Sequence, residues 1–191
     1  LPNVIDPIER IFEALNEPIP IRYSVYLEEE LADMDIILTA TSSMSEFVPV
    51  HLIKAGAVIC DVSQPPNVGR DVQKERKDVL IIEGGLVQYA DPIRFGQNLG
   101  YDAGQNLACL SETMLLSLDQ ANKSYGIGGR IRMEDVYYIQ RLAEKHQFRL
   151  ADLQSFGKKV TDEDILNIRA EIVLRQEANA YSSSTIKEAG K

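Results

Sequence analysis

Ile36-Ile37-Leu38-Thr39-Ala40, Val58-Ile59-Cys60-Asp61-Val62 and Val79-Leu80-Ile81-Ile82-Glu83 decide how this sequence folds. The runs begin 22 and 21 residues apart. They are short, rich in branched apolar side chains and do not alternate with polar residues, the pattern of strands buried on both faces of a parallel sheet. Parallel neighbours need a crossover. Val48 to Ala55, closed by Gly56, has the composition of a crossover helix, and Val68 to Lys77 that of a polar second crossover. The expected class is α/β: the C-terminal half of a Rossmann-like parallel sheet, followed by a helical region.

Upstream of the first run, Ile8, Ile11, Phe12 and Leu15 fall at helical spacing behind Asp6-Pro7, which predicts an amphipathic helix from Asp6 to Asn16. Pro18 and Pro20 end it, Ile21 to Tyr23 fits a short edge strand, and Leu27 to Ala32 has the acidic start of another helix. Past Gly85 the period changes. Asp102 to Gln120 carries Leu107, Leu110, Met114 and Leu118 on one stripe; Met133 to His146 carries Val136, Ile139, Leu142 and Ala143; Asp162 to Ala178 carries Ile165, Ile168 and Ile172, with Leu174 or Arg175 at the edge. Thr161 and Asp164 form a capping pattern before the third of these. Tyr181 to Lys191, with its serine run, reads as a flexible tail. The expected organisation is a partial nucleotide-binding domain over 1–101, a helical region over 102–180 and the tail over 181–191.

The 191 residues are 45% apolar and 26% charged, a composition that supports a packed core. A net charge of −9 repels phosphate backbones and anionic lipid surfaces, so nucleic acid is not an expected partner. Two cysteines and two histidines do not make a four-ligand zinc site, and no run is long and apolar enough to span a bilayer. The expectation is a cytoplasmic, reducing environment, with homo-oligomerisation left open. Leu1 stands where an initiator Met would, which points to a processed or incomplete chain.

In an open parallel sheet, ligands bind outside the carboxyl ends of the strands. Three segments lie there. Thr39-Ala40-Thr41-Ser42-Ser43 is a string of small and hydroxyl residues that either offers donors to a ribose or phosphate or caps a turn. Asp61 to Gly69, with Val62 at its start, is a loop stiffened by two prolines. Gly84-Gly85 either admits a ligand close to the backbone or makes a plain turn. A nicotinamide site also needs a Gly-x-Gly-x-x-Gly turn after its first strand; Gly126-Ile127-Gly128-Gly129 lies between two helices instead, so that turn is expected upstream of Leu1. Cys109 falls beside the apolar stripe of its helix, on a largely polar face with Gln105, Asn106, Glu112, Thr113 and Leu116. It is either a nucleophile or an inert small residue, and at about the seventh helical position it is too far in to feel the helix dipole. Cys60 reads as core, and His146 as a partner of a helix C-terminus.

The order Asp61 to Asn67, Glu83-Gly84-Gly85-Leu86-Val87, Leu107-Ala108-Cys109-Leu110-Ser111-Glu112-Thr113-Met114-Leu115-Leu116 and His146-Gln147-Phe148-Arg149 resembles the cyanobacterial long-chain acyl-(acyl-carrier-protein) reductases and the related predicted amino acid dehydrogenases. The similarity runs from Asp35 to Arg149. Thr39-Ala40-Thr41-Ser42 is also similar to the cofactor-facing turn of shikimate dehydrogenases. The resemblance implies that Cys109 takes an acyl group as a thioester, that NADPH (or NADH) delivers hydride at the strand ends and that an aldehyde leaves. It also implies an acyl thioester substrate, with acyl carrier protein as partner. It makes Thr39, Ala40, Thr41, Ser42, Ser43, Val62, Gly84 and Gly85 the cofactor-binding residues. The alternatives are an NAD(P)-dependent amino-acid or shikimate-like dehydrogenase with no covalent intermediate, and a non-catalytic cofactor-binding or scaffold domain. The reductases' acyl-binding region and glycine-rich turn have no counterpart in this sequence.

Overall fold

The computed structural model describes residues 22–70, 72–91, 101–125 and 131–189, with side chains to Tyr181. The expected helix over 6–16 and the Gly126 to Gly129 turn lie outside the described residues. The three quoted runs form one parallel sheet of β1 (Ile36–Thr39), β2 (Val58–Asp61) and β3 (Leu80–Glu83), in that spatial order. The register is in step, so that Ile36, Val58 and Leu80 are neighbours at one end and Thr39, Asp61 and Glu83 at the other. With the short helix α1 (Leu27–Leu31), this is a mixed α/β fold.

Burial of the strands differs from the expectation of two covered faces. Ile37, Ile59 and Ile81 point into a core with Leu31, Val50, Ile53, Ala57, Val68 and Val79. Their neighbours on the outermost strand do not: Ile36 is 76% and Leu38 66% exposed. Alternation of burial belongs to a sheet packed on one side, although the sequence itself does not alternate.

The first crossover is not a helix. Phe47 and Val48 donate their N–H groups to the Asn67 carbonyl at 3.1 and 3.3 Å, and Ile53 is extended, which leaves only one 3-10 turn at Val50–Leu52. The second crossover holds a single turn, α2 (Val72–Glu75). Arg76 fastens it down: its guanidinium donates to the carbonyls of Val50 and Ile53, each at 2.6 Å, and binds both carboxylate oxygens of Asp78 at 2.8 Å.

Beyond Gly85 the chain builds a second sheet. β4 (Leu86–Gln88) lies between β5 (Gln105–Leu107) and β6 (Arg149–Leu150), antiparallel to both. The β4–β5 pair crosses the 101/102 boundary expected from composition. Helix α3 (Ala108–Leu118) follows β5 without a break, so the first third of the expected helix over 102–120 is not helical. Its inward face is Ser111 and Leu115, while Leu110 and Leu118 are exposed. The reason is what the helix packs on: the Ser111 hydroxyl lies 3.0 Å from the Tyr89 hydroxyl, and Leu115 joins Tyr89, Phe148 and Leu142 in a second core. Leu142 comes from α4 (Met133–Lys145), with Ile139 and Ala143 beside it.

A hairpin, β7 (Gln154–Ser155) with β8 (Lys158–Lys159), leads to the long helix α5 (Asp162–Ala189). The Thr161 and Asp164 side chains cap its start reciprocally. Ile165, Ile168, Ile172 and Arg175 form its inward stripe, as the spacing predicts. Ile172 lies against Gly56, where an added Cβ would sit 2.7 Å from its Cγ1, and Arg175 bonds the Ala55 carbonyl and Asp35 at 2.8 and 2.7 Å. The helical backbone continues through the segment from 181 that its serines marked as a tail. Among the described residues, no helix is long and apolar enough to cross a membrane.

Candidate functional site at the strand ends

The in-step register puts Thr39, Asp61 and Glu83 in a row along the carboxyl edge of the sheet. Asp61 organises that edge. One of its oxygens accepts from the Thr39 hydroxyl at 2.6 Å and the Ser63 N–H at 3.0 Å; the other accepts from the N–H groups of Asn67 and Val68 at 2.7 and 3.0 Å. Burial works to raise the Asp61 pKa, but the Thr39 hydroxyl and the Ser63, Val68 and Asn67 amides outweigh it, so the carboxyl is held below its ordinary range. Asn67, fully buried, joins the two loops: its side-chain oxygen accepts from the Thr41 hydroxyl at 2.7 Å and its carbonyl from Phe47 and Val48. The Thr41 N–H donates to Ser63 Oγ at 3.0 Å, and Ser43 closes a turn on the Thr41 hydroxyl at 3.1 Å.

The hydroxyls expected to face a nucleotide are therefore largely spent inside the protein. Thr39 is buried against Asp61, and Thr41 and Ser43 close turns; only Ala40 and Ser42 face solvent with no contact to this network. Val62 is part-exposed and lies against Gly84, where a Cβ would fall 2.8 Å from Cys60 Sγ and closer still to Val62 Cγ1. Gly84 is thus required by packing between strand ends. Gly85 differs: at φ +72° no described residue lies within 4 Å of where its Cβ would be.

Gly85 also reaches the start of α3. Its carbonyl accepts the Ala108 N–H at 2.7 Å, because the Leu86–Leu107 pair brings β5 alongside the turn that leaves β3. Cys109 is then the second residue of α3 and is exposed. Cys109 does not stand at the expected seventh helical position: β5 takes up the residues assigned to the first turns, so Cys109 falls in the first turn of α3. Tyr101 completes the cluster. Burial raises its phenol pKa, Glu83 and Cys109 act in the same direction, and a hydrogen bond with Gln64 opposes them. Glu83 accepts the Gly157 N–H at 2.7 Å, which ties the β7–β8 hairpin to this edge. Burial, and then Asp61, push the Cys60 thiol pKa up. The sequence places Asp61, Asn67 and Glu83 only within their strand-end segments and gives them, and Tyr101, no role; the available signal is a carboxylate ending two apolar strands.

No protein-family model matches the chain. It is similar to the aminotransferase PigE of Serratia sp. (strain ATCC 39006), with 29% identity over 143 residues. That stretch is 74% of this chain and 17% of the relative, so the chain spans about a sixth of that protein's length. This relative overturns the resemblance to acyl-(acyl-carrier-protein) reductases and predicted amino acid dehydrogenases. With it fall the NADPH-dependent reduction of an acyl thioester to an aldehyde and NADP or NAD as the cofactor; the non-covalent dehydrogenase and the cofactor-binding scaffold gain no support either, since the relative is named an aminotransferase.

Proposed function

We propose that this chain is a section of a larger enzyme related to aminotransferases, and that it contributes a site where Cys109 holds a carbonyl compound covalently. Amino-group transfer consumes an aldehyde or ketone, which is the class of substrate a thiol adds to reversibly. In that addition the sulfur bonds to the carbonyl carbon, the carbonyl electron pair moves to oxygen and the thiol proton ends on that oxygen. The observation that carries this reading is the exposed Cys109 in the first turn of α3, one residue past Ala108, whose N–H the Gly85 carbonyl accepts. Tyr101, whose phenol Glu83 and Cys109 both act on, is in this reading the hydroxyl that donates to the developing oxyanion. In this reading the three parallel strands are the relevant part of a Rossmann-like sheet, and two unpaired thiols suit a reducing cytoplasm.

Pyridoxal phosphate, the group that amino-group transfer implies, supplies an electron sink for an amine bound to it. The buried residues of the strand ends do not fit it. Lys54, Lys123 and Lys145 are paired with Asp35, Asp135 and Asp119 away from those ends, and Lys158 and Lys159 stand exposed on the β7–β8 hairpin. Asp61, the buried carboxylate at those ends, has both oxygens filled and cannot take a pyridinium. The reading of this section therefore routes no step through that group.

The test is an isotope-labelled aldehyde followed by NMR on the purified chain. A resonance of a tetrahedral thiol adduct is expected, and Cys109→Ser should abolish it while Cys60→Ser leaves it. An adduct unaffected by Cys109→Ser would sink the proposal.

A further inference from the structure

We propose that residues 86–151 form one body that swings on the parallel sheet about a two-strand hinge, and that two side-chain hydrogen bonds latch it shut. Among the described residues, the two cores share no member. Ile37, Ile59 and Ile81 belong to the first, which Phe156 of the β7–β8 turn joins. Tyr89, Leu115, Leu142 and Phe148 make the second, with Val87, Ile139 and Ala143 packed on it. A unit with its own core keeps its shape without its neighbour, so two such units move against each other unless the seam between them is large and apolar.

The chain passes between the bodies twice, and each passage is short. On the way out, the Gly84 N–H bonds the Asp61 carbonyl of the parallel sheet at 2.8 Å, and the Gly85 carbonyl accepts the Ala108 N–H of the second body at 2.7 Å. The change of body therefore falls at the Gly84–Gly85 peptide, where Gly85 has φ +72° and no described residue within 4 Å of a Cβ position. On the way back, the Ala151 N–H bonds the Leu86 carbonyl at 3.1 Å, while the Leu153 carbonyl accepts the Val160 N–H at 2.8 Å. That leaves the exposed Asp152 between the bodies. From there the hairpin and α5 rejoin the first body, through the Gly157 N–H on Glu83 and through Arg175 on Ala55 and Asp35. The bond between Leu86 and Ala151 sets the two passages side by side, so they act as one axis. A hinge needs only a few such residues, with room for φ and ψ to change.

Two bonds between neutral side chains span the seam. Gln154 on β7 donates to Gln105 Oε1 on β5 at 2.6 Å, and Gln64, in the loop after β2, shares a hydrogen bond with Tyr101. Neutral pairs of this kind hold weakly, because water offers the same bonds to the open state. Gln64 follows a strand end and β5 leads straight into α3, so opening parts the strand-end loops from the start of that helix. The movement needs no chemistry at Cys109.

The experiment measures two distances on the purified chain by pulsed electron–electron resonance, with spin labels on keto amino acids so that both native thiols stay untouched. One pair, Leu38 on β1 with Tyr137 on α4, spans the seam; the other, Leu38 with Leu166 on α5, lies within the first body, and all three positions are exposed. The spanning distance is expected to be spread at least about twice as widely as the internal one. Gln64→Ala with Gln105→Ala should widen it further and leave the internal pair as it was. Equal spreads in the parent chain overturn the hinge whatever the variant does. A spanning distance that the double variant leaves unchanged overturns the latch, and so does a variant in which both pairs widen together, since the glutamines then hold the fold itself.

Discussion

Asp61 shows how much one side chain can decide at a strand end. It fills four donors, so Asp61→Asn would set an NH₂ group against at least one backbone N–H. The expected cost is about 2–4 kcal/mol in denaturant unfolding at neutral pH. The sign with pH follows from the lowered pKa: the carboxyl binds protons more readily in the unfolded chain, so its contribution is fully present above the usual carboxylate range. It is lost as pH falls through the lower, folded value. Unfolding titrations should therefore show an acid limb in the parent protein that is shallower in Asp61→Asn; parallel limbs would remove Asp61 from that role. The neighbouring glycines separate by mechanism. Gly84→Ala should lose about 1–3 kcal/mol through collision with Val62 and Cys60, and Val62→Ala should restore part of it. Gly85→Ala has room and should lose about 1 kcal/mol to its positive φ alone, with no rescue by Val62→Ala. Melting temperatures of the four variants decide this.

At the level of elements, the parallel strands were legible because apolar runs of similar length recur at nearly equal spacing. Their pairing follows from the need to satisfy backbone groups in register. The first crossover was not legible, because nothing in Val48 to Ala55 announces that Asn67 will take the N–H groups of Phe47 and Val48. Helix α3 was placed too early for a related reason: Gln105 to Leu107 carries no strand signal of its own and is extended only because Leu86 to Gln88 pairs with it. That error moved Cys109 away from the helix start and hid the feature that matters most for its chemistry. The Arg76 clamp is a further long-range product. Removing it as Arg76→Ala leaves two carbonyls and Asp78 without their partner, and should cost about 2–3 kcal/mol by denaturant unfolding. A loss under 0.5 kcal/mol would show that water substitutes for the guanidinium there.

At the scale of the whole molecule, the described residues build two cores. The parallel sheet packs on one side, the second sheet carries α3 and α4, and α5 crosses the amino ends of β1 and β2 through Ile172 and Arg175. The outer strand β1 presents Ile36 and Leu38 to solvent, an apolar edge of the kind that promotes association. Ile36→Thr with Leu38→Lys should therefore raise the protein concentration at which light scattering appears, with little change in melting temperature, whereas a large loss of stability would mean that these side chains are covered in the intact protein. The two loops at the opposite edge have a kinetic consequence. Because Asn67 bonds Phe47 and Val48 while its own N–H and that of Val68 rest on Asp61, none of these four amides can be released without disturbing the others. In deuterium exchange they should behave as one opening unit with one rate, a local clock for how often the strand ends come apart.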